Sequence, residues 1–158
     1  MSHHPYHALV ADFLKRGELQ QDPPTPEDLG TLSFELGDFT CEVYPDKEET
    51  RVTVQVMVIH LDQLQPASVP KALRMLHGIN HRARNTTGIM ASLNNDDELI
   101  ISKSLAISLT DGAQLGAEMA SMLEAARDLK SFLEELPSGS SVSPTSTVEK
   151  APLPGQFA

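Results

Sequence analysis

A chain of 158 residues, 40% of them hydrophobic, is long enough for one domain with a real core; with no Trp and only 4% aromatics, that core is aliphatic. The net charge of −10 argues against nucleic acid and anionic membrane surfaces as partners. A single cysteine, Cys41, excludes an internal disulfide and fits a reducing compartment.

The first element reads as an amphipathic helix from His4 or Pro5 to Arg16. Tyr6, Leu9, Val10, Phe13 and Leu14 share one helical face, and Gly17 follows as terminator. Gln20 to Gly30, carrying Pro23, Pro24 and Pro26, reads as an extended connector. Three strands follow between Thr31 and Leu61. Leu32, Phe34 and Leu36 alternate with Ser33 and Glu35; Phe39, Cys41 and Val43 alternate with Thr40, Glu42 and Tyr44. In the third, from about Thr50 to Leu61, Val52, Val54, Val56 and Val58 alternate with Thr53, Gln55, Met57 and Ile59. A period of two buries one face and leaves the other available. Gly37-Asp38 is the tight turn and Pro45 to Glu49 the longer one. Met57 and Ile59 make the end of the third strand apolar on both faces, which suits a central strand or one with a helix on one side and a partner on the other.

A second helix spans about Val69 to Ala83, with Pro70 in its first turn and Ala72, Leu73, Leu76, Ile79 and Ala83 as its apolar face. Charge is uneven here: residues 1–70 hold twelve acids against four bases, whereas Lys71 to Arg84 hold four bases and no acid. Gly88 to Asn94 and Glu98 to Leu109 form a hairpin turned at Asn95-Asp96-Asp97. Leu99, Ile101, Leu105 and Ile107 point inward, and Lys103 breaks the series. The last helix opens on Asp111 and Gln114, at capping-box spacing, and stops at Pro137. Its stripe is Leu115, Met119, Met122, Ala126, Leu129, Leu133 and Leu136, widened by Leu123 and Phe132; it predicts a helix laid across the sheet rather than a coiled coil. The expectation is one α+β domain over 1–137, ordered α-βββ-α-ββ-α with an antiparallel sheet packed by helices, and a disordered Ser/Pro/Thr-rich tail over 138–158.

Nothing on these elements converges as catalytic groups must. His77 and His81 stand at i, i+4, but no glutamate lies between them and no third ligand has metal spacing. His3, His4 and His7 cluster only at the terminus, and Cys41 points with Phe39 and Val43 toward the core as a small hydrophobe. No phosphate-cradling glycine loop is present. No run approaches the roughly 20 apolar residues of a bilayer span, and MSHHPYHALV lacks the basic start and apolar core of a secretory signal. The expectation is a cytoplasmic binding protein with no enzymatic activity, cofactor, metal site or membrane insertion.

The element order over Tyr6 to Leu136 resembles the class I type III secretion chaperones, the Tir-chaperone family of Gram-negative bacteria. The resemblance is most specific in LRMLHGINHRARNTTGIMASLNNDDELIISKSLAI, Leu73 to Ile107. A leucine-bearing helix there ends in an Asn-containing turn, followed by a Gly-led strand, an acidic turn and a strand of form L-x-L-x-x-x-L-x-L. Leu76, Asn80, Gly88, Leu93, Leu99, Ile101, Leu105 and Ile107 take those places. The proline-rich connector and the tail from Ser138 depart from the family pattern.

The resemblance implies a homodimer that uses no ATP and keeps the N-terminal segment of a secreted effector extended and export-competent. It implies client contacts at Leu9, Phe13, Leu14, Leu32, Phe34 and Leu36, and a dimer interface at Leu76, Ile89, Ala91 and Leu93. An extended client can add a strand to a sheet edge and drop alternate side chains into pockets. The alternatives are a regulatory protein of the same fold that acts on a transcriptional or secretion regulator, and a small hydrolase or metal enzyme.

Overall fold

The computed structural model describes residues 4–17, 30–83 and 86–136. The connector and the tail from Ser138 lie outside them, as does His3. Helix α1 (Pro5–Arg16) is followed by strands β1 (Leu32–Leu36), β2 (Phe39–Pro45) and β3 (Arg51–His60), helix α2 (Val69–Ala83), strands β4 (Met90–Leu93) and β5 (Glu98–Ala106), and helix α3 (Gly112–Glu134). All strand pairs are antiparallel, in the order β1-β2-β3-β5-β4. The fold is thus the expected α+β architecture, and β3 is its central strand.

Register follows from the alternation. Leu32 pairs with Val43, Phe34 with Cys41, Cys41 with Val56 and Val56 with Ile101, so the apolar sets of successive strands fall on one face. Val43, Val52, Val54 and Val56 are wholly buried there, under Leu115, Met119, Met122 and Ala126 of α3. Each fully buried aliphatic side chain contributes about 1.5–3 kcal/mol. The opposite face carries Glu42, Tyr44, Thr53 and Gln55, tied by hydrogen bonds from Tyr44 to Gln55 (3.3 Å) and from Gln55 to Glu42 (3.1 Å). A register shift between Met57 and Ile59 turns Ile59 inward beside Val58, which accounts for the apolar doubling at the end of β3.

Several boundaries differ from expectation. The fifth strand ends at Ala106, and Ile107–Leu109 form a turn of 3-10 helix. Ile107 is still buried, but Leu109 is 79% exposed. Leu105 is only half-buried, packed against the core. Lys103 does share the inward face, opposite Val54, and its Nζ lies 2.6 Å from Glu118 of α3, so the break in the series is a half-buried ion pair. In α3, Asp111 caps Gln114 and the Gln114 side chain returns the bond, the expected capping box. The helix ends at Glu134, short of Pro137, and Phe132 is 50% exposed, off the buried stripe. Leu73 on α2, 39% exposed, likewise leaves the predicted apolar face.

Candidate functional site

Helix α1 is held against the sheet and α3 with Tyr6, Leu9, Val10, Phe13 and Leu14 all buried. The Tyr6 hydroxyl, fully buried, donates to the Val43 carbonyl at 2.8 Å and lies 3.4 Å from that of Gly30. Burial pushes its phenol up to about 12. The Phe13 ring lies 6.0 Å from that of Phe34 on β1, and on its other side touches the position a side chain at Gly116 of α3 would occupy. One turn earlier, the backbone N–H of Gly112 donates to Asp12 at 2.9 Å, satisfying an open donor at the start of α3. The two helices meet so closely that a Cβ at Gly112 would stand 2.5–2.7 Å from Asp12 and the Phe13 backbone. Arg16 donates to Asp12 from the other side, and these bonds hold the Asp12 carboxyl below its ordinary range.

The six side chains expected to face a client are therefore contiguous but turned inward. Leu9, Phe13, Leu14, Leu32 and Phe34 are 4–8% exposed, and Leu36 is half-buried against the same cluster. Leu9 also lines a cleft of about 610 Å³ between the outer side of α1, the β2–β3 turn and the 107–112 segment. Pro5 and Ala8 form one wall, Thr50 and Ile107 the other, with Asp12 and Glu49 at its polar positions. The Glu49 carboxylate accepts from His4 Nδ1 at 3.1 Å, and Glu49 sits at φ +51°, a left-handed conformation unusual for a non-glycine residue. The cleft was missed in the sequence because its walls come from three distant segments, none of them apolar enough alone to draw notice.

On the β4 side, Leu76 and Ala91 are buried within the chain, while Ile89 and Leu93 are half-buried. The apolar groups on the surface there are Leu73 and Met90, 39% and 38% exposed. Leu73 precedes Asn80 by two helical turns on the same flank of α2. Met90 lies on the open sheet face, paired with Ser102 of β5.

Among the described residues no three of His, Cys, Asp and Glu are grouped to hold a metal ion, and no helix is long and apolar enough to cross a membrane. His77 and His81 are both exposed. Cys41 is fully buried, and burial, with Glu35 nearby, pushes its thiol up to about 11. A protonated buried thiol is a poor nucleophile.

No protein-family model matches the chain, and no curated protein matches it. Solved structures do. The ExsC-ExsE complex aligns with a TM-score of 0.71 at 15% identity, covering 84% of this chain and 96% of the other. The HopA1-SchA chaperone-effector complex aligns at 0.66 with 19% identity, covering 80% and 94%. The Yersinia pestis type III secretion chaperone SycH, solved with a fragment of YscM2, aligns at 0.57 with 21% identity, covering 78% and 98%. The fold implied by the sequence resemblance, that of the type III secretion chaperones, is the fold of this chain.

Proposed function

We propose that this protein is an ATP-independent chaperone that binds the N-terminal region of a type III secreted effector and keeps it soluble and export-competent. The observation that carries the reading is the fold itself, shared over nearly the whole length of a chaperone solved in a chaperone-effector complex. The structure adds physical support. The cleft beside α1 can take apolar side chains from an extended segment, and β1 forms one edge of the sheet beneath. Leu9 then forms the floor of the client site, with Phe13, Leu14, Leu32, Phe34 and Leu36 in the core behind it, while Pro5 and Ala8 make its reachable wall. Ordering an unfolded client costs conformational entropy, so the contact must cover a long stretch of it.

In this reading the protein is a cytoplasmic homodimer without enzymatic activity. Two copies meet along the β4 side, where Leu73 and Met90 are exposed and Ile89 and Leu93 half-buried, with Leu76 and Ala91 supporting from inside. The second reading, a regulatory protein of the same fold that binds a secretion regulator, uses the same surfaces. A titration of the protein with the N-terminal segment of a type III secreted effector that co-purifies with it separates the two. Ala8→Asp in the cleft wall should weaken that binding about tenfold or more without lowering the melting temperature. Unchanged affinity removes the cleft from the site, and absence of any binding to the segment favours the regulator.

A further inference from the structure

The cleft beside α1 is mostly apolar, but the ionisable side chains on it are Asp12, Glu49 and Asp111, and no lysine or arginine is among the described residues that line it. Two of these carboxylates are engaged by the fold. Asp12 accepts from the Gly112 N–H at 2.9 Å and from Arg16, and Asp111 accepts from the Gln114 N–H at 2.8 Å as the cap of α3. Glu49 is not so used.

The Glu49 side chain is 14% exposed. Its Oε1 accepts from His4 Nδ1, while Oε2 is shielded from solvent and has no hydrogen-bond partner among the described residues. A carboxylate oxygen out of water without a donor is costly, and native folds leave few such groups without a reason. The turn that carries it is firmly built. Asp46 accepts from the Thr50 and Arg51 N–H groups at 2.7 and 3.0 Å and from the Thr50 hydroxyl at 2.7 Å. Within that turn Glu49 holds a positive φ that glycine, asparagine or aspartate adopts more readily. Turn chemistry therefore does not call for a glutamate, and the fold leaves one of its oxygens unmet beside the cleft it lines.

We infer that Glu49 sets the specificity of the α1 cleft, selecting client segments that carry a lysine or arginine within two positions of the apolar side chain seated over Leu9. The inference rests on the chaperone reading of that cleft and adds the chemistry of what it takes. In an extended segment, side chains two positions apart project to the same side, about 6.6 Å from each other, so anchor and cation can enter one cleft together. The cation supplies the donor that Oε2 lacks, and apolar walls make such a charge-assisted bond stronger than on open surface. An acidic segment would meet the three carboxylates and a chain of net charge −10.

The test selects binders to the full chain from a displayed library of random peptides of roughly 12 residues, at about 150 mM salt so that distant charges are screened. Selected peptides should share an apolar residue with Lys or Arg within two positions. Replacing that cation by Gln in the best binder should lower its affinity about tenfold or more by fluorescence anisotropy, a comparison that leaves the protein unaltered. Selection on Glu49→Gln should keep the apolar preference and lose the cation. Glu49→Lys should prefer the peptide with Glu in place of its cation, an exchange that a purely structural role would not produce. Apolar peptides without a cation overturn the inference and leave the chaperone reading standing. A cation preference that survives in Glu49→Gln also overturns it, as diffuse attraction to an acidic chain. Selection of no apolar peptide, or of the same peptides by Ala8→Asp, overturns both the inference and the client cleft on which it rests.

Discussion

The side-chain amide of Asn80 on α2 takes both outward backbone groups of Ala91 on β4: its Nδ2 donates to the Ala91 carbonyl at 2.7 Å, and its Oδ1 accepts from the Ala91 N–H at 2.6 Å. Strand β4 is one edge of the sheet, and an open edge is a template for unwanted pairing. Asn80 does at one residue what a further strand would do, and it ties α2 to the sheet edge.

Replacing Asn80 by Ala removes both bonds and leaves two half-buried backbone groups to water. The expected loss is about 2 kcal/mol, measured as a lower urea midpoint at unchanged slope. Asn80→Asp keeps only the acceptor and should fall between the two.

Gly112→Ala should be among the most damaging single changes. The added methyl would meet the Asp12 and Phe13 backbone at under 3 Å, where no flexible side chain can yield. Forcing α1 and α3 apart should cost roughly 1–3 kcal/mol or more. A melting temperature within a degree of the parent would contradict this packing.

Phe13→Ala should destabilise by about 3–5 kcal/mol, since the ring is buried between Phe34 and α3. Chemical denaturation reads this directly. If the variant lost client affinity with its stability intact, Phe13 would be a contact rather than floor.

Alkaline pH should unfold the protein through two buried groups. The thiol of Cys41 moves from an ordinary 9.0 to about 11, and the phenol of Tyr6 from 10.0 to about 12. Both groups keep their protons longer folded than unfolded, so their stability is fully present below about pH 9 and is lost as pH rises toward 11 and 12. Each accounts for a loss on the order of 2 kcal/mol. Denaturation midpoints from pH 8 upward should flatten in Cys41→Ala with Tyr6→Phe.

Much of the fold was legible because alternation and helical spacing are local. The valines of β3, the stripe of α1 and the capping box of Asp111 and Gln114 each announce their element within a few residues. What covers an apolar face is not local. Phe13 and Phe34 read equally well as client contacts or as core; Phe13 is covered by a helix about 100 residues away, and Phe34 packs against Phe13. The 3-10 turn at Ile107–Leu109 was read as strand because its apolar spacing continues that of β5; the Thr110 bond to Ala106 that closes the turn leaves no mark in the pattern. Phe132 extends the α3 stripe by spacing, yet the stripe buried by the sheet is narrower than the apolar one. Asn80, by contrast, stood in the resembling segment, but only the structure shows that it faces the edge of β4.

The proposed dimer has its own check. Light scattering should give twice the 17.2 kDa chain mass, and Leu73→Asp with Met90→Asp should return the monomer without unfolding it, since both side chains are exposed.

The central claim is that the protein holds the N-terminal segment of a secreted protein in an extended state without ATP. Calorimetric titration with a type III secreted effector of the same cell, intact and lacking its N-terminal segment, gives the plainest check. Binding to the intact protein and to the isolated segment should be nucleotide-independent, with none to the truncated form. Equal binding to the truncated, folded form would contradict it.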